Sequence, residues 1–116
     1  MKVTVGSWCY DVPMCELFCT ARRIGNYESR TEEYEITFAI GGATPKTLQI
    51  KYQAARAYEI NAALEACVEA ARAAIAEADP ALVDRPTDES LSQFSWRTLQ
   101  SVKYDEGTPR TAVLPL

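Results

Sequence analysis

Between Gln53 and Ala78 the chain reads QAARAYEINAALEACVEAARAAIAEA, with 12 alanines in 26 positions and no Gly or Pro. Alanine has the best intrinsic helix propensity. Ala57, Ile60, Leu64, Cys67, Val68, Ala71, Ala74 and Ile75 recur at steps of three and four, which places them on one face of a helix. Asp79-Pro80 ends the run, because the residue before a proline is biased away from helical backbone. Glu69 and Arg72 fall three apart as a surface pair. The pattern predicts one helix over 53–78, about 39 Å long at ~1.5 Å per residue. A seven-residue strand reaches only ~23 Å. Two readings of the helix follow. It is a core helix with a frayed end, or its overhanging turns meet a partner or a second copy. The first makes Ile60, Leu64, Cys67, Val68, Ala71 and Ile75 the packing face, with Leu64→Ala expected to cost ~2–5 kcal/mol.

The rest of the chain alternates with a period of two. Tyr34, Ile36, Phe38 and Ile40 oppose Glu35, Thr37 and Ala39, the clearest strand pattern present. Leu48, Ile50 and Tyr52 repeat the pattern over Thr47–Tyr52. Gly41-Gly42-Ala43-Thr44-Pro45 between them predicts a hairpin. Residues 2–10 read as a strand with a bulge at Gly6, and Asp11-Val12-Pro13 as a turn. Residues 16–24 read as a strand, with a short helix after Pro13 as the alternative. Residues 26–33 are polar and loop-like. Phe94, Trp96, Thr98, Val102 and Tyr104 share a parity, so 94–104 is read as a strand. A helix from Asp88 capped by Thr87 competes with it, since Leu91, Phe94 and Leu99 also fit helical spacing. Residues 110–114 supply a last edge strand. The expected fold is a single α+β domain over 1–116. It is an antiparallel sheet of about five to six strands with one long helix on one face.

Composition narrows the chemistry. The 116 residues carry 12 Lys and Arg against 16 Asp and Glu, a formal net charge of −4, and no histidine. Direct nucleic-acid binding is not expected from that balance. No stretch of ~20 apolar residues could span a bilayer, and no apolar run after Met1 resembles a signal peptide. The expectation is a cytoplasmic protein whose thiols stay reduced. Cys9, Cys15, Cys19 and Cys67 lack the tight pairs of structural zinc sites, so neither metal nor other cofactor is expected. Without histidine there is no Ser-His or Cys-His pair. Gly41-Gly42 sits in a hairpin turn, unlike a phosphate loop. A cysteine assisted by Arg22 or Arg23, or an acid pair of Glu32 and Glu33, is outweighed by packing and surface charge. No catalytic residue is assigned.

What stands out is acidic surface. Glu28, Glu32, Glu33 and Glu35 lead into the clearest strand, and Asp84, Asp88 and Glu89 form a second group. Both are read as exposed. Solubility explains such groups, and so does docking onto a basic partner, since complementary potentials speed encounter. In this general character, carried by E28-S-R-T-E-E-Y-E35, D84-R-P-T-D-E89 and the helix 53–78, the chain resembles the small inhibitors of phages and mobile elements, notably anti-CRISPR proteins. That group shares no motif. The resemblance implies a stoichiometric inhibitor, monomer or homodimer, in the cytosol of a host cell. Its partner is a CRISPR effector complex or the nuclease it recruits, met through a basic surface without direct contact to nucleic acid or membrane. The other classes are a viral structural or assembly protein that oligomerises through the long helix, and a small enzyme with an unrecognised site.

Overall fold

The computed structural model describes residues 2–5, 8–11, 15–24 and 30–116. Its elements are β1 (Lys2–Val5), β2 (Trp8–Asp11), β3 (Glu16–Arg23), β4 (Thr31–Ala39) and β5 (Lys46–Gln53). These are followed by α1 (Ala57–Ala78), a 3-10 turn (Pro80–Leu82), α2 (Asp88–Ser101) and β6 (Arg110–Pro115). The fold is α+β. Strands β5, β4, β3 and β6 form a four-stranded antiparallel sheet in that order, and β1 and β2 pair separately.

Alternation decides which way this sheet faces. Tyr34, Ile36 and Phe38 of β4 are buried, as are Leu17, Cys19 and Ala21 of β3 and Ile50 and Tyr52 of β5. They oppose one another in register, Ala21 with Ile36 and Tyr34 with Ile50, and so share one face. Both helices lie on that face, α1 over β5 and β4, α2 over β3 and β6. On the other face Arg22 bonds Glu35 at 3.2 Å and the Thr37 and Thr47 hydroxyls meet at 2.9 Å. Both are cross-strand pairs, the unit by which antiparallel sheets gain stability.

The largest departure from expectation is α2. Residues 94–104 form no strand; the competing helix is the one formed. Thr87 Oγ1 accepts the Ser90 N–H at 3.0 Å, and Asp88 and Glu89 occupy the first turn, where carboxylates favour the helix dipole. Leu91, Phe94, Ser95, Thr98 and Leu99 are buried, a helical stripe. Ser95 and Thr98 survive burial because their hydroxyls donate to the Leu91 and Phe94 carbonyls, each at 2.8 Å. The main sheet therefore has four strands and two helices, in place of five or six strands and one.

Other boundaries move too. Val5 pairs with Trp8, so the amino-terminal segment is two strands where one was expected; Gly6 and residues 12–14 lie outside the described residues. Strand β4 begins at Thr31, because Thr31, Glu32 and Glu33 pair with Gln53, Tyr52 and Lys51. Those residues are not loop. The same pairing keeps Gln53 in β5 and delays α1 to Ala57. At 22 residues α1 is about 33 Å long, against ~30 Å for the nine-residue β4, so the difference in length shrinks to about 3 Å. Arg72 pairs with Asp88, at 2.9 Å from Nε, and not with Glu69. At the far end Glu77 clips the β4–β5 turn to α1, accepting the Thr44 N–H at 2.9 Å and pairing with Lys46. Those partners hold its carboxyl down at about 2. Gly42, at φ +94°, turns the chain there in a conformation L side chains avoid.

Along α1, Cys67, Ala71, Ala74 and Ile75 are fully buried, while Ile60, Leu64 and Val68 are half-buried at the margin of the core. The expected packing face is thus rotated. Leu91→Ala should cost ~2–5 kcal/mol and Leu64→Ala roughly half as much or less, since only part of its surface is removed from water. Urea unfolding of both variants checks this; equal losses would place Leu64 in the core.

Candidate functional site

Two helices side by side leave a furrow between their exposed shoulders. Here it is an open groove of about 710 Å³. Leu64 and Val68 of α1 supply its apolar lining, and Glu65, Glu69, Asp88 and Glu89 its acidic lining. Asn61, Leu64, Glu65, Val68, Glu69 and Arg72 follow one another at alternating steps of three and one, so α1 contributes a continuous stripe.

Arg72 builds the end of the groove. Beyond Asp88, its guanidinium donates to the Val83 carbonyl at 2.6 Å and the Pro86 carbonyl at 3.1 Å. One planar fork thereby holds the α1–α2 connection against α1 and neutralises Asp88. Among the described residues Glu65 and Glu69 have no cationic partner, and Glu89 accepts only from Gln93, at 3.2 Å. Three carboxylates thus lack a cationic side-chain partner among the described residues, beside two half-buried aliphatic side chains. Such a surface attracts cations and gains by covering its apolar part.

The structure divides the acidic residues read from the sequence. Asp88 and Glu89 come together with Glu65 and Glu69, neither of which was among the acidic groups read from the sequence. Asp84 is exposed in the connection and does not line the groove. The first group does not form one surface. Glu28 lies outside the described residues. Glu33 faces Lys51 in the ladder and Glu35 is paired with Arg22. Glu32 is only 7% exposed, on the parity of Tyr34 and Ile36, and pairs with Lys103 at 3.4 Å. The expectation of four exposed charges fails most at Glu32, because a strand that begins at Thr31 turns it toward the helices, and Glu33 and Glu35 are only partly exposed.

Glu32 belongs to a buried polar corner. Arg23, 1% exposed, donates to the Lys103 carbonyl. Tyr34 and Tyr52 stack with ring centroids 6.0 Å apart, and Tyr52 meets Trp96 at 6.4 Å. Their hydroxyls lie near Glu32 and each other without reaching hydrogen-bond geometry. Burial, then the Glu32 charge, pushes the Tyr34 phenol up to about 12. Burial, then the neighbouring Tyr34 and Glu32, drives Tyr52 upward as well. Among the thiols, Cys9 and Cys15 are exposed and free, Cys19 and Cys67 buried and free. Burial raises Cys67 to about 12, opposed by the Ser95 hydroxyl, and drives Cys19 up too, opposed by Thr98. A buried thiol held neutral is packing and no nucleophile.

No protein-family model matches the chain, and neither a curated protein nor a solved structure does. No described helix is long and apolar enough to cross a membrane.

Two outcomes follow from the corner and the thiols. Glu32→Lys removes an acidic partner of Lys103 and adds a cation beside it and Arg23. It should cost about 2–3 kcal/mol, under the range for a fully buried pair because Lys103 is partly exposed, while Glu33→Lys stays near neutral. Comparable losses in urea unfolding would put Glu32 at the surface. Cys67, Cys19, Tyr34 and Tyr52 are all held protonated in the fold. The unfolded chain therefore loses these protons first, from the ordinary values of 9.0 and 10.0. Their contribution is intact below about pH 9 and is lost as pH rises toward 12. The urea midpoint should fall steadily between about pH 9 and about pH 11; a flat profile would show these groups to be solvated.

Proposed function

We propose that this protein is a non-catalytic inhibitor that binds a larger protein or ribonucleoprotein partner by setting the α1–α2 groove on a basic surface. One observation carries the reading: among the described residues Glu65, Glu69 and Glu89 stand without a cationic side-chain partner around the half-buried Leu64 and Val68. Apolar contact gives such an interface its affinity, and the carboxylates give it encounter rate and choice of partner. Nucleic acid itself is repelled by the same charges. The partner class that the chain's character implies is a CRISPR effector complex or its recruited nuclease, whose nucleic-acid channels are basic surfaces.

A second reading, self-assembly through α1 as in a viral structural protein, is favoured by the half-exposed Ile60, Ala63 and Leu64. Pairing two copies across this stripe would bring the carboxylates of both grooves together, an arrangement that like-charge repulsion opposes.

Target-DNA cleavage by purified guide-loaded effector complexes, with the nuclease added where one is recruited, tests the proposal. Near-stoichiometric protein should suppress cleavage. Glu65→Lys with Glu69→Lys should slow association roughly tenfold at low salt and flatten its salt dependence. Glu106→Lys, an exposed carboxylate outside the groove, should change neither. An unaltered association rate for the double variant clears the groove of the role. Suppression of no effector removes the partner class, and a sizing profile at dimer mass or above favours the second reading.

A further inference from the structure

We infer that the groove's occupant is a lysine- or arginine-rich amphipathic helix of about three turns, presented by the partner. The inference rests on the docking reading above and adds what kind of segment docks. The stripe from Asn61 to Arg72 covers about 16 Å of α1, which matches three turns of a second helix. Leu64 and Val68 are four apart, the separation at which apolar side chains of a partner helix recur. Glu65 and Glu69 line the groove from α1, and Glu89 from the first turn of α2. A helix lying in the groove with its apolar side down would carry its basic side chains within reach of both walls.

The groove's chemistry disfavours other occupants. Both walls are helices and neither presents a strand edge, so an extended peptide finds no ladder to join. A small polyamine can meet the carboxylates but leaves the aliphatic lining wet. A second copy of this chain brings the same negative charge. Arg72 takes no part in docking, since its fork is committed to Asp88 and two carbonyls. It shapes the end wall against which the helix would stop.

The test uses the full chain and a fluorescein-labelled peptide of about 14 residues, leucine and lysine in helical amphipathic order. A second peptide has the same composition scrambled so that no apolar face forms, and spermine serves as competitor. The ordered peptide should bind at least roughly tenfold tighter than the scrambled one, in a salt-dependent manner. Glu65→Gln with Glu69→Gln, isosteric changes at exposed positions, should weaken it about fivefold or more. Leu64→Ala with Val68→Ala should erase the preference for the ordered peptide, with circular dichroism confirming the fold. Equal binding of both peptides, or full displacement by spermine at equal charge, overturns the helical occupant. So does absence of peptide binding while effector inhibition still responds to Glu65→Lys with Glu69→Lys; there the docking reading survives and its helical form falls. Peptide binding without inhibition of any effector upholds the helix and removes only the effector as partner.

Discussion

The width of the sheet governs this molecule. Four strands spaced ~4.8 Å apart put the outer two about 14 Å from each other, and a helix with its side chains is about 10 Å across. One helix cannot cover that apolar face. Ala21 and Leu17 on β3 would stay wet beneath α1 alone, which sits over β5 and β4. The segment after α1 therefore folds as a second helix and supplies Leu91, Phe94 and Leu99. Two helices on one sheet then sit roughly 8–10 Å apart, and a furrow between their outer shoulders comes with that geometry. The groove is a consequence of covering the sheet. Its acidity is not, since other side chains could stand at those exposed positions.

Charge in this chain sorts into two kinds. One kind is used in the fold: Arg72 holds the connection to Asp88, Glu77 holds the β4–β5 turn, and Lys103 meets Glu32 under the helices. Each joins segments distant in sequence. The other kind stands without such partners among the described residues, and Glu65, Glu69 and Glu89 of this kind lie where Leu64 and Val68 are incompletely covered. Formal net charge says nothing of this division. It needs the neighbours of each side chain.

Much of the fold was legible in sequence because the two periods were clean. Tyr34, Ile36 and Phe38 alternate without a break, and α1 carries its helical stripe through an alanine-rich background. The second helix was obscured by Ser95 and Thr98. A buried hydroxyl that donates to its own helix backbone reads as a polar position, so the stripe looked interrupted while Phe94, Trp96 and Thr98 mimicked a strand. Glu32 misled for the opposite reason. A carboxylate followed by another carboxylate reads as solvated loop, and it is a lysine 71 positions away, in a corner shared with the buried Arg23, that makes its inward place tolerable. The groove was half legible. Asp88 and Glu89 stood out as neighbours, but Glu65 and Glu69 joined them only once the connection folded α2 back beside α1.

Glu65 and Glu69 also show why the groove's charge calls for an explanation. Like charges four apart on one helix destabilise it by ~0.2–0.5 kcal/mol, and Glu89 adds to the local repulsion. Substituting lysine at position 69 would turn that repulsion into a favourable pair, in the orientation helices prefer. The chain instead carries carboxylates on both walls of a furrow lined by leucine and valine. For stability alone the Glu65–Glu69 pair is the poorer choice, whereas Asp88 and Glu89 stand in the first turn of α2, where carboxylates are favoured. For a surface that must choose among partners that pair is the better one, because carboxylates beside an apolar strip reject nucleic acid and acidic proteins and leave a basic apolar face as the best match.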